Sequence, residues 1–199
     1  MESKPDIFSK KNLSERILIE DSSSHSLFNE INKRLTERLL LIKKKNFTIL
    51  ELGSRTGTTL KNLPKEKNIK KFFFTDISHK MLIKAKEKII FNNSIKNKVF
   101  INLNEENIPF KEKIFDLVLS NLYLHWSNDI YKCLTEINRI LKPNGVMLHS
   151  VKSPLALRRM ELFSPEYLLK YRDNSIKNYE TDISYHYIVD NHSNPEGLT

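Results

Sequence analysis

Between residues 49 and 151 short apolar runs alternate with amphipathic segments, and this alternation restricts the fold more than any other feature of the chain. The runs are "FTILELG", "KKFFFTD", "KVFINLN", "IFDLVLSNL" and "VMLHSV". Each is nearly continuous in its hydrophobicity, as strands are when helices cover both faces of their sheet. After the first run, "TTLKNLPKE" predicts a short helix stopped near Pro64. After the second, "SHKMLIKAKEKIIFNN" predicts a helix with a capping serine and Met81, Leu82, Ala85 and Ile89 on its apolar face. Before the last run, "NDIYKCLTEINRILKPNG" predicts a helix closed by Pro143 and Gly145. Upstream, "SSSHSLFNEINKRLTERLLLIKKK" opens with serines suited to capping and spaces Leu27, Ile31, Leu35 and Leu39 four apart, again a helix. Strands that alternate with helices in this way make a parallel sheet with crossover helices on both faces. The fold class is α/β: a Rossmann-like, mostly parallel central sheet.

The remaining composition limits the function. At 199 residues and 39% hydrophobic, the chain can bury a full core without metals or disulfides. Cys133 is its single cysteine, so no intramolecular disulfide forms, a reducing compartment fits, and the residue reads as a small buried hydrophobe. No apolar run approaches the ~20 residues of a bilayer span, so no membrane insertion is expected. The N-terminus lacks a signal peptide's apolar stretch and carries Glu2, Asp6 and Glu15, which argues for a cytoplasmic location. The mitochondrial matrix would need a targeting segment outside this chain. The net charge of +9 comes largely from 25 lysines scattered in short groups among 33 basic residues, a pattern of solvated lysines rather than of a nucleic-acid partner. His25, His79, His149, His186 and His192 show no metal-ligand spacing, and no metal is assigned.

The chain has only four glycines, where average usage of about 7% would give roughly fourteen. Two of them, Gly53 and Gly57, fall in "LELGSRTGTTL" directly after the first strand. In open parallel sheets ligands bind beyond the carboxyl ends of the strands. A glycine there permits a tight turn, and a second lets the loop backbone approach a bound molecule as the next helix begins. The second strand then ends in Asp76, where an acid can accept two hydrogen bonds from a ribose diol. Strand, glycine loop, helix, strand and acid together describe a site for an adenosine-containing ligand. The simpler alternative is a plain turn and a helix-capping aspartate.

The pattern at Glu51, Gly53 and Gly57 resembles motif I of the class I S-adenosylmethionine-dependent methyltransferases, usually (D/E)-x-G-x-G-x-G. The resemblance implies that S-adenosyl-L-methionine is the cofactor, that Glu51 faces its methionine amino group, and that Leu52, Gly53, Ser54 and Gly57 run along it. Asp76 matches the acid that holds the ribose, with Ile77 beside it. "NEENIPF" resembles the element after the family's third strand, with Asn104 and Glu105 at the adenine positions. "FDLVLSNLYLHW" resembles the motif whose strand opens onto the active site, placing Ser120 against the cofactor and Tyr123, His125 and Trp126 toward the acceptor. "ILKPNGVML" resembles the helix end before the fifth strand. Within the superfamily, "KKFFFTDIS", "IPFKEKIFDLVLSNLYLHWSND" and "LKPNGV" resemble the branch of the mitochondrial respiratory complex I assembly factor. The biotin-pathway malonyl carrier-protein O-methyltransferases are more distant neighbours.

Three readings follow from the resemblance. The first is methyl transfer to an unidentified acceptor. The second is hydroxylation of a protein arginine, with a complex I subunit as partner, because that branch keeps the fold and changes the reaction. The third is cofactor binding without catalysis. No catalytic residue is named, since the family mainly positions its substrates. Two departures matter. Arg55 occupies the usual central glycine of motif I and is expected to face solvent in a tolerant variant of the loop. Asn104 replaces the usual acid but keeps an acceptor. The segment 153–199 only faintly resembles the family, so the fold reads as a class I methyltransferase fold with a shortened or atypical C-terminal part, in which "DISYHYIVD" is one further strand. The expected organisation is a helical extension over 1–46, a cofactor-binding core over 47–152 and the atypical segment 153–199.

Overall fold

The computed structural model describes residues 25–89, 95–152 and 183–189, with isolated positions 9 and 15. The capping serines before the first helix, the end of "KIIFNN" and most of 153–199 lie outside the described residues. Helix α1 spans His25–Glu37 and runs into a 3-10 turn over Arg38–Leu41. Strand β1 follows at Asn46–Leu52, then the one-turn helix α2 at Thr59–Asn62, β2 at Asn68–Asp76 and α3 at His79–Ile89. Strand β3 spans Lys98–Asn102 and β4 Phe115–Asn121. A 3-10 turn over Leu124–Trp126 leads to α4 at Ile130–Ile140, and β5 at Leu141–Lys152 and β6 at Ile183–Val189 complete the sheet.

The strand order is β3-β2-β1-β4-β5-β6. The first five strands are parallel, and β6 pairs antiparallel with β5 from Val146↔Val189 to Lys152↔Ile183. The expected further strand in "DISYHYIVD" is therefore present. The order reverses between β1 and β4, which puts the topological switch point beside the glycine loop. No helix joins β3 to β4; the connection over residues 103–114 is irregular.

Period-2 alternation divides the strand side chains between two cores. Phe47, Ile49, Phe72, Phe74, Leu117 and Leu119 pack against Phe28, Ile31, Leu35 and Leu39 of α1 and Leu82 and Ile89 of α3. Leu50, Leu52, Phe73, Phe115 and Val118 pack on the opposite face against Cys133, Leu134, Ile137 and Ile140 of α4. Helices thus cover both faces; the apolar face expected of α3 is buried, as are Ile31, Leu35 and Leu39 of the spacing expected upstream, whereas Leu27 is only partly buried and Phe28 takes its place in the core. Cys133 is fully buried, as its position mid-helix suggested.

Helix α4 ends earlier than the sequence implies. Its cap, Leu141, is already extended (φ −69°, ψ 138°) and pairs with Phe115. Lys142 precedes a proline, which disfavours helical backbone, and the left-handed residue here is Asn144 (φ 61°) rather than Gly145. Gly145 instead permits close approach, since a Cβ there would lie 2.7 Å from the Lys142 carbonyl oxygen.

Candidate functional site

The carboxyl ends of β1, β2 and β4 converge on the glycine loop. Ser54 ties the first two strand ends together: its N–H donates to the Thr75 carbonyl at 2.9 Å and its Oγ accepts from the Thr75 N–H at 2.9 Å. Thr75 Oγ1 in turn donates to the Glu51 carbonyl at 2.5 Å. Gly53 and Gly57 both adopt left-handed backbone, at φ 72° and 70°. At Gly53 the reason is a close approach, because a Cβ would meet the Tyr123 ring at 2.2 Å. Gly57 also has a packing role. A Cβ there would touch Ile89 and Ala85 at 3.3–3.4 Å, so this glycine seats the loop on α3.

Arg55 corrects the expectation of a solvent-facing side chain. It is 5% exposed, and its φ is +49°. The turn from Ser54 to Gly57, closed by a 2.8 Å bond between the Gly57 N–H and the Ser54 carbonyl, swings the side chain inward. The guanidinium carbon lies 3.8 Å from the centroid of the Phe28 ring, and Nη2 donates to the Leu122 carbonyl at 3.3 Å. Left-handed backbone costs a non-glycine residue roughly 1–2 kcal/mol, about what a desolvated cation–π contact returns.

Glu51 is 2% exposed. It accepts a short hydrogen bond at Oε1 from Thr59 Oγ1, while Oε2 has no hydrogen-bond partner among the described residues. Thr59 is itself positioned from α1, where Asn32 Nδ2 donates to its hydroxyl at 2.6 Å and Asn62 Nδ2 donates to Asn32 Oδ1 at 3.0 Å. Burial raises the Glu51 carboxyl to a pKa of about 8; the Thr59 and Ser54 hydroxyls pull it down and the Asp76 charge adds to the rise. Glu51 therefore holds a proton at neutral pH and has an acceptor unused among the described residues.

Asp76, 1% exposed, accepts from the Arg55 N–H at 2.9 Å through Oδ2 and from the Ser78 N–H at 2.8 Å through Oδ1. Burial raises its pKa to about 6, against the lowering pull of the Ser78 and Arg55 N–H groups and the Arg55 charge. The acid thus organises two backbone segments, and each oxygen keeps a second lone pair. Asn102, which the sequence does not single out, fixes the backbone beneath it by donating to the Asp76 and Ile77 carbonyls at 2.7 and 2.8 Å.

The remaining expected residues surround this centre. Asn104 Oδ1 accepts from the Glu106 N–H at 3.1 Å. Glu105 is buried and accepts from the Tyr123 hydroxyl at 2.9 Å through Oε2. Tyr123, 1% exposed, belongs to the core; burial, with the Glu105 charge, holds its phenol protonated well above the usual range. Ser120 is buried in β4. His125 and Trp126 are half-buried with ring centroids 5.0 Å apart. Glu106, also unforeseen, gathers the start of α4 by accepting from Ser127 Oγ and the N–H groups of Asn128 and Asp129 at 2.7–3.2 Å.

A small crevice opens beside the loop, lined by Phe28, Asn32, Glu51, Gly53, Arg55 and Asn121 among others. Asn121 joins it to α1 by donating to the Phe28 carbonyl at 3.0 Å. The acceptor set suits the amino-acid end of an adenosyl cofactor: the crevice wall carries a buried carboxyl oxygen that is unpaired among the described residues. The space that a Cβ of Gly53 would take is filled by the Tyr123 ring. Among the described residues no group of three or more His, Cys, Asp or Glu is placed to hold a metal ion, and no helix is long and apolar enough to cross a membrane.

Residues 50–149 match the methyltransferase domain family. The chain is 39% identical over 119 residues to the mitochondrial arginine-hydroxylase NDUFAF5 of Homo sapiens, a stretch that covers 60% of this chain and 32% of that protein. It is 29% identical over 130 residues to malonyl-acyl-carrier-protein O-methyltransferase 1 of Coxiella burnetii, covering 65% of this chain and 42% of that one. The chain spans about a third of the length of the first curated relatives it matches. Among solved structures, a protein of Methanococcus maripaludis provisionally assigned to the S-adenosyl-L-methionine-dependent methyltransferases superposes with a TM-score of 0.65 at 20% identity, over 98% of this chain and 99% of that one. That likeness speaks to the fold.

Proposed function

The chain belongs to the methyltransferase domain family, and on that premise we propose that it binds S-adenosyl-L-methionine at the glycine loop and transfers a methyl group to an acceptor. The observation that carries this reading is Glu51, a buried carboxyl group at the switch point of a parallel sheet with one oxygen unpaired among the described residues. On this reading Glu51 receives the ammonium of the amino-acid end, and Leu52, Gly53, Ser54 and Gly57 form the loop that follows the cofactor. Asp76, with Ile77 beside it, offers its remaining lone pairs to the ribose. Asn104 and Glu105 face the adenine, and Ser120 supports the cofactor from β4. Tyr123, His125 and Trp126 border the acceptor side. When bound, the cofactor supplies a sulfonium-activated methyl group. The chain's own residues hold it, exclude water and orient the acceptor, a contribution that can reach about 7–11 kcal/mol.

The test is calorimetric titration of S-adenosyl-L-methionine into the wild type, Glu51→Gln and Asp76→Asn. Micromolar affinity is expected for the wild type. Because Glu51 is protonated when free and ionised against an ammonium, binding at pH 7 releases a proton, and the measured heat varies with the ionisation heat of the buffer. Asp76→Asn weakens binding by about 2–4 kcal/mol. No binding to the folded wild type overturns the reading.

The similarity to the arginine-hydroxylase supports a second reading, in which the same fold hydroxylates a protein arginine and the partner is a respiratory complex I subunit. Mass spectrometry of a candidate subunit after incubation separates the two, since one product gains a methylene and the other an oxygen atom. The relatives named mitochondrial favour the matrix for this second reading. The division into an extension over 1–46, a core over 47–152 and a C-terminal segment over 153–199 is part of the proposal.

A further inference from the structure

We propose that Asn32 of α1 is a positioning residue for the cofactor's ammonium: its side-chain amide commits the one proton of the Thr59 hydroxyl to Glu51 and so keeps Glu51 Oε2 for the ligand. The assignment rests on the cofactor reading above. It adds to that reading a residue of α1 that the apolar spacing of the helix does not single out.

Proton counting fixes the polarity of this chain of hydrogen bonds. An ionised carboxylate has no proton to give, a threonine hydroxyl has one, and an amide carries its protons on nitrogen and none on oxygen. Once Glu51 is ionised it can only accept, so the Thr59 proton must point to it. The Thr59 oxygen must then accept from its other neighbour, and of the two ends of the Asn32 amide only the nitrogen can complete the chain. That is the arrangement found. Asn32 Nδ2 donates to Thr59 Oγ1 at 2.6 Å, and Thr59 Oγ1 donates to Glu51 Oε1. Asn32 Oδ1 accepts from Asn62 Nδ2 of α2 at 3.0 Å, which holds the amide this way round.

The surroundings give this polarity its weight. Asn32 is 1% and Thr59 2% exposed, and both line the crevice with Glu51. Hydrogen bonds are electrostatically stronger in such a dry place than in water. The other elements packed there supply little to offset a charge on Glu51. Phe28 of α1 and Asn121 of β4 are neutral, and Asp76 of β2 opposes the ionisation. Arg55 of the loop is held by Phe28 and the Leu122 carbonyl and acts on Asp76. Burial raises the Glu51 carboxyl to a pKa of about 8, and Thr59 is the first group that pulls it down. Loosening the Thr59 proton therefore makes Glu51 harder to ionise against an ammonium.

The experiment measures two affinities by calorimetry on the full chain: for S-adenosyl-L-methionine, and for 5′-methylthioadenosine, which lacks the whole amino-acid end. The proteins are the wild type, Asn32→Leu, Thr59→Val and the double variant. At pH 7 Thr59→Val should weaken S-adenosyl-L-methionine by about 10- to 100-fold, the worth of a hydrogen bond to a charged group. Asn32→Leu, which leaves the hydroxyl but frees it to turn away, should cost about 3- to 10-fold. Binding of 5′-methylthioadenosine should stay within about twofold throughout, whereas a collapsed crevice would weaken both ligands. The double variant should bind no more weakly than Thr59→Val, because Asn32 acts only through the Thr59 proton. In the wild type, affinity should rise as pH approaches about 8 and Glu51 gives up its proton. That rise should move to higher pH in both single variants, the ligand's own ionisation being common to all. A thermal melt of each variant checks that it folds. Should Asn32→Leu alone fail to fold, comparison of the double variant with Thr59→Val still decides, since the pair of substitutions leaves no unmatched polar partner between them. Unchanged affinity in Asn32→Leu, an equal loss for both ligands, or a further loss when Asn32→Leu is added to Thr59→Val overturns the Asn32 assignment and leaves the cofactor reading standing. Absence of S-adenosyl-L-methionine binding by the folded wild type overturns the cofactor reading, and the Asn32 assignment falls with it.

Discussion

Two buried carboxylates mark opposite ends of the sheet, and they are treated in opposite ways. Asp116, at the amino end of β4, receives the Lys44 ammonium at 2.6 Å, the Thr48 N–H at 2.8 Å and the Lys142 ammonium at 3.1 Å. Burial alone would raise its pKa, but these partners together hold it below the usual carboxylate range. Glu51, at the carboxyl end of the neighbouring β1, has among the described residues only hydroxyl groups and no cation to offset its burial, and its pKa is raised to about 8. One end of the sheet spends its polar groups on its own charge. The other leaves an acid under-solvated, which destabilises the fold and suits a group that awaits a cation.

The largest expected effect tests that contrast directly. Glu51 has a folded pKa above its unfolded value of 4.5, so its contribution to stability is complete below pH 4.5 and is lost as pH rises through about 8. Glu51→Gln removes this loss. In urea melts its advantage over the wild type should grow from near zero at pH 4 to as much as roughly 4–5 kcal/mol above pH 8. An advantage that stays constant with pH would mean the carboxyl is already solvated or paired.

The second effect concerns the crowding at the same end. Gly53→Ala must accept φ 72° and a Cβ within 2.2 Å of the Tyr123 ring, a loss of about 2–4 kcal/mol. In a Tyr123→Ala background the clash disappears while the backbone strain remains, so the loss should fall by about half; an unchanged loss would show that Tyr123 does not press on the loop.

The smallest effect is expected at the opposite end. Asp116→Asn keeps the shape but loses the charge, and because Lys44 and Lys142 are 42% and 37% exposed the loss should be only about 1 kcal/mol at pH 7. Asp116 has a lowered folded pKa, so its contribution is present above 3.8 and lost as pH falls through the folded value. The difference between variant and wild type should therefore vanish in acid, the reverse of the Glu51 behaviour.

The parallel sheet was legible because its strands are contiguous apolar runs, and the ends of those runs put Glu51 and Asp76 at the site. The side-chain geometry at those ends was not legible. Whether Arg55 turns outward or inward is decided by the sign of its φ and by Phe28, 27 positions upstream, and neither leaves a local trace. The same holds for Tyr123 over Gly53 and for the chain of hydrogen bonds from Asn62 through Asn32 and Thr59 to Glu51. The end of α4 was misread for a smaller reason: a pre-proline residue outweighed a glycine signal.

The hydrogen-bonded link from α1 to Glu51 bears on which stretch of chain is inherited as a unit. The matched family region begins at residue 50, yet Phe28 and Asn32 supply one wall of the crevice and the support for its acid. A fragment trimmed to the matched region would keep the loop and forfeit that wall. A chimera that borrowed α1 from a relative would carry over part of the ligand selectivity along with the helix.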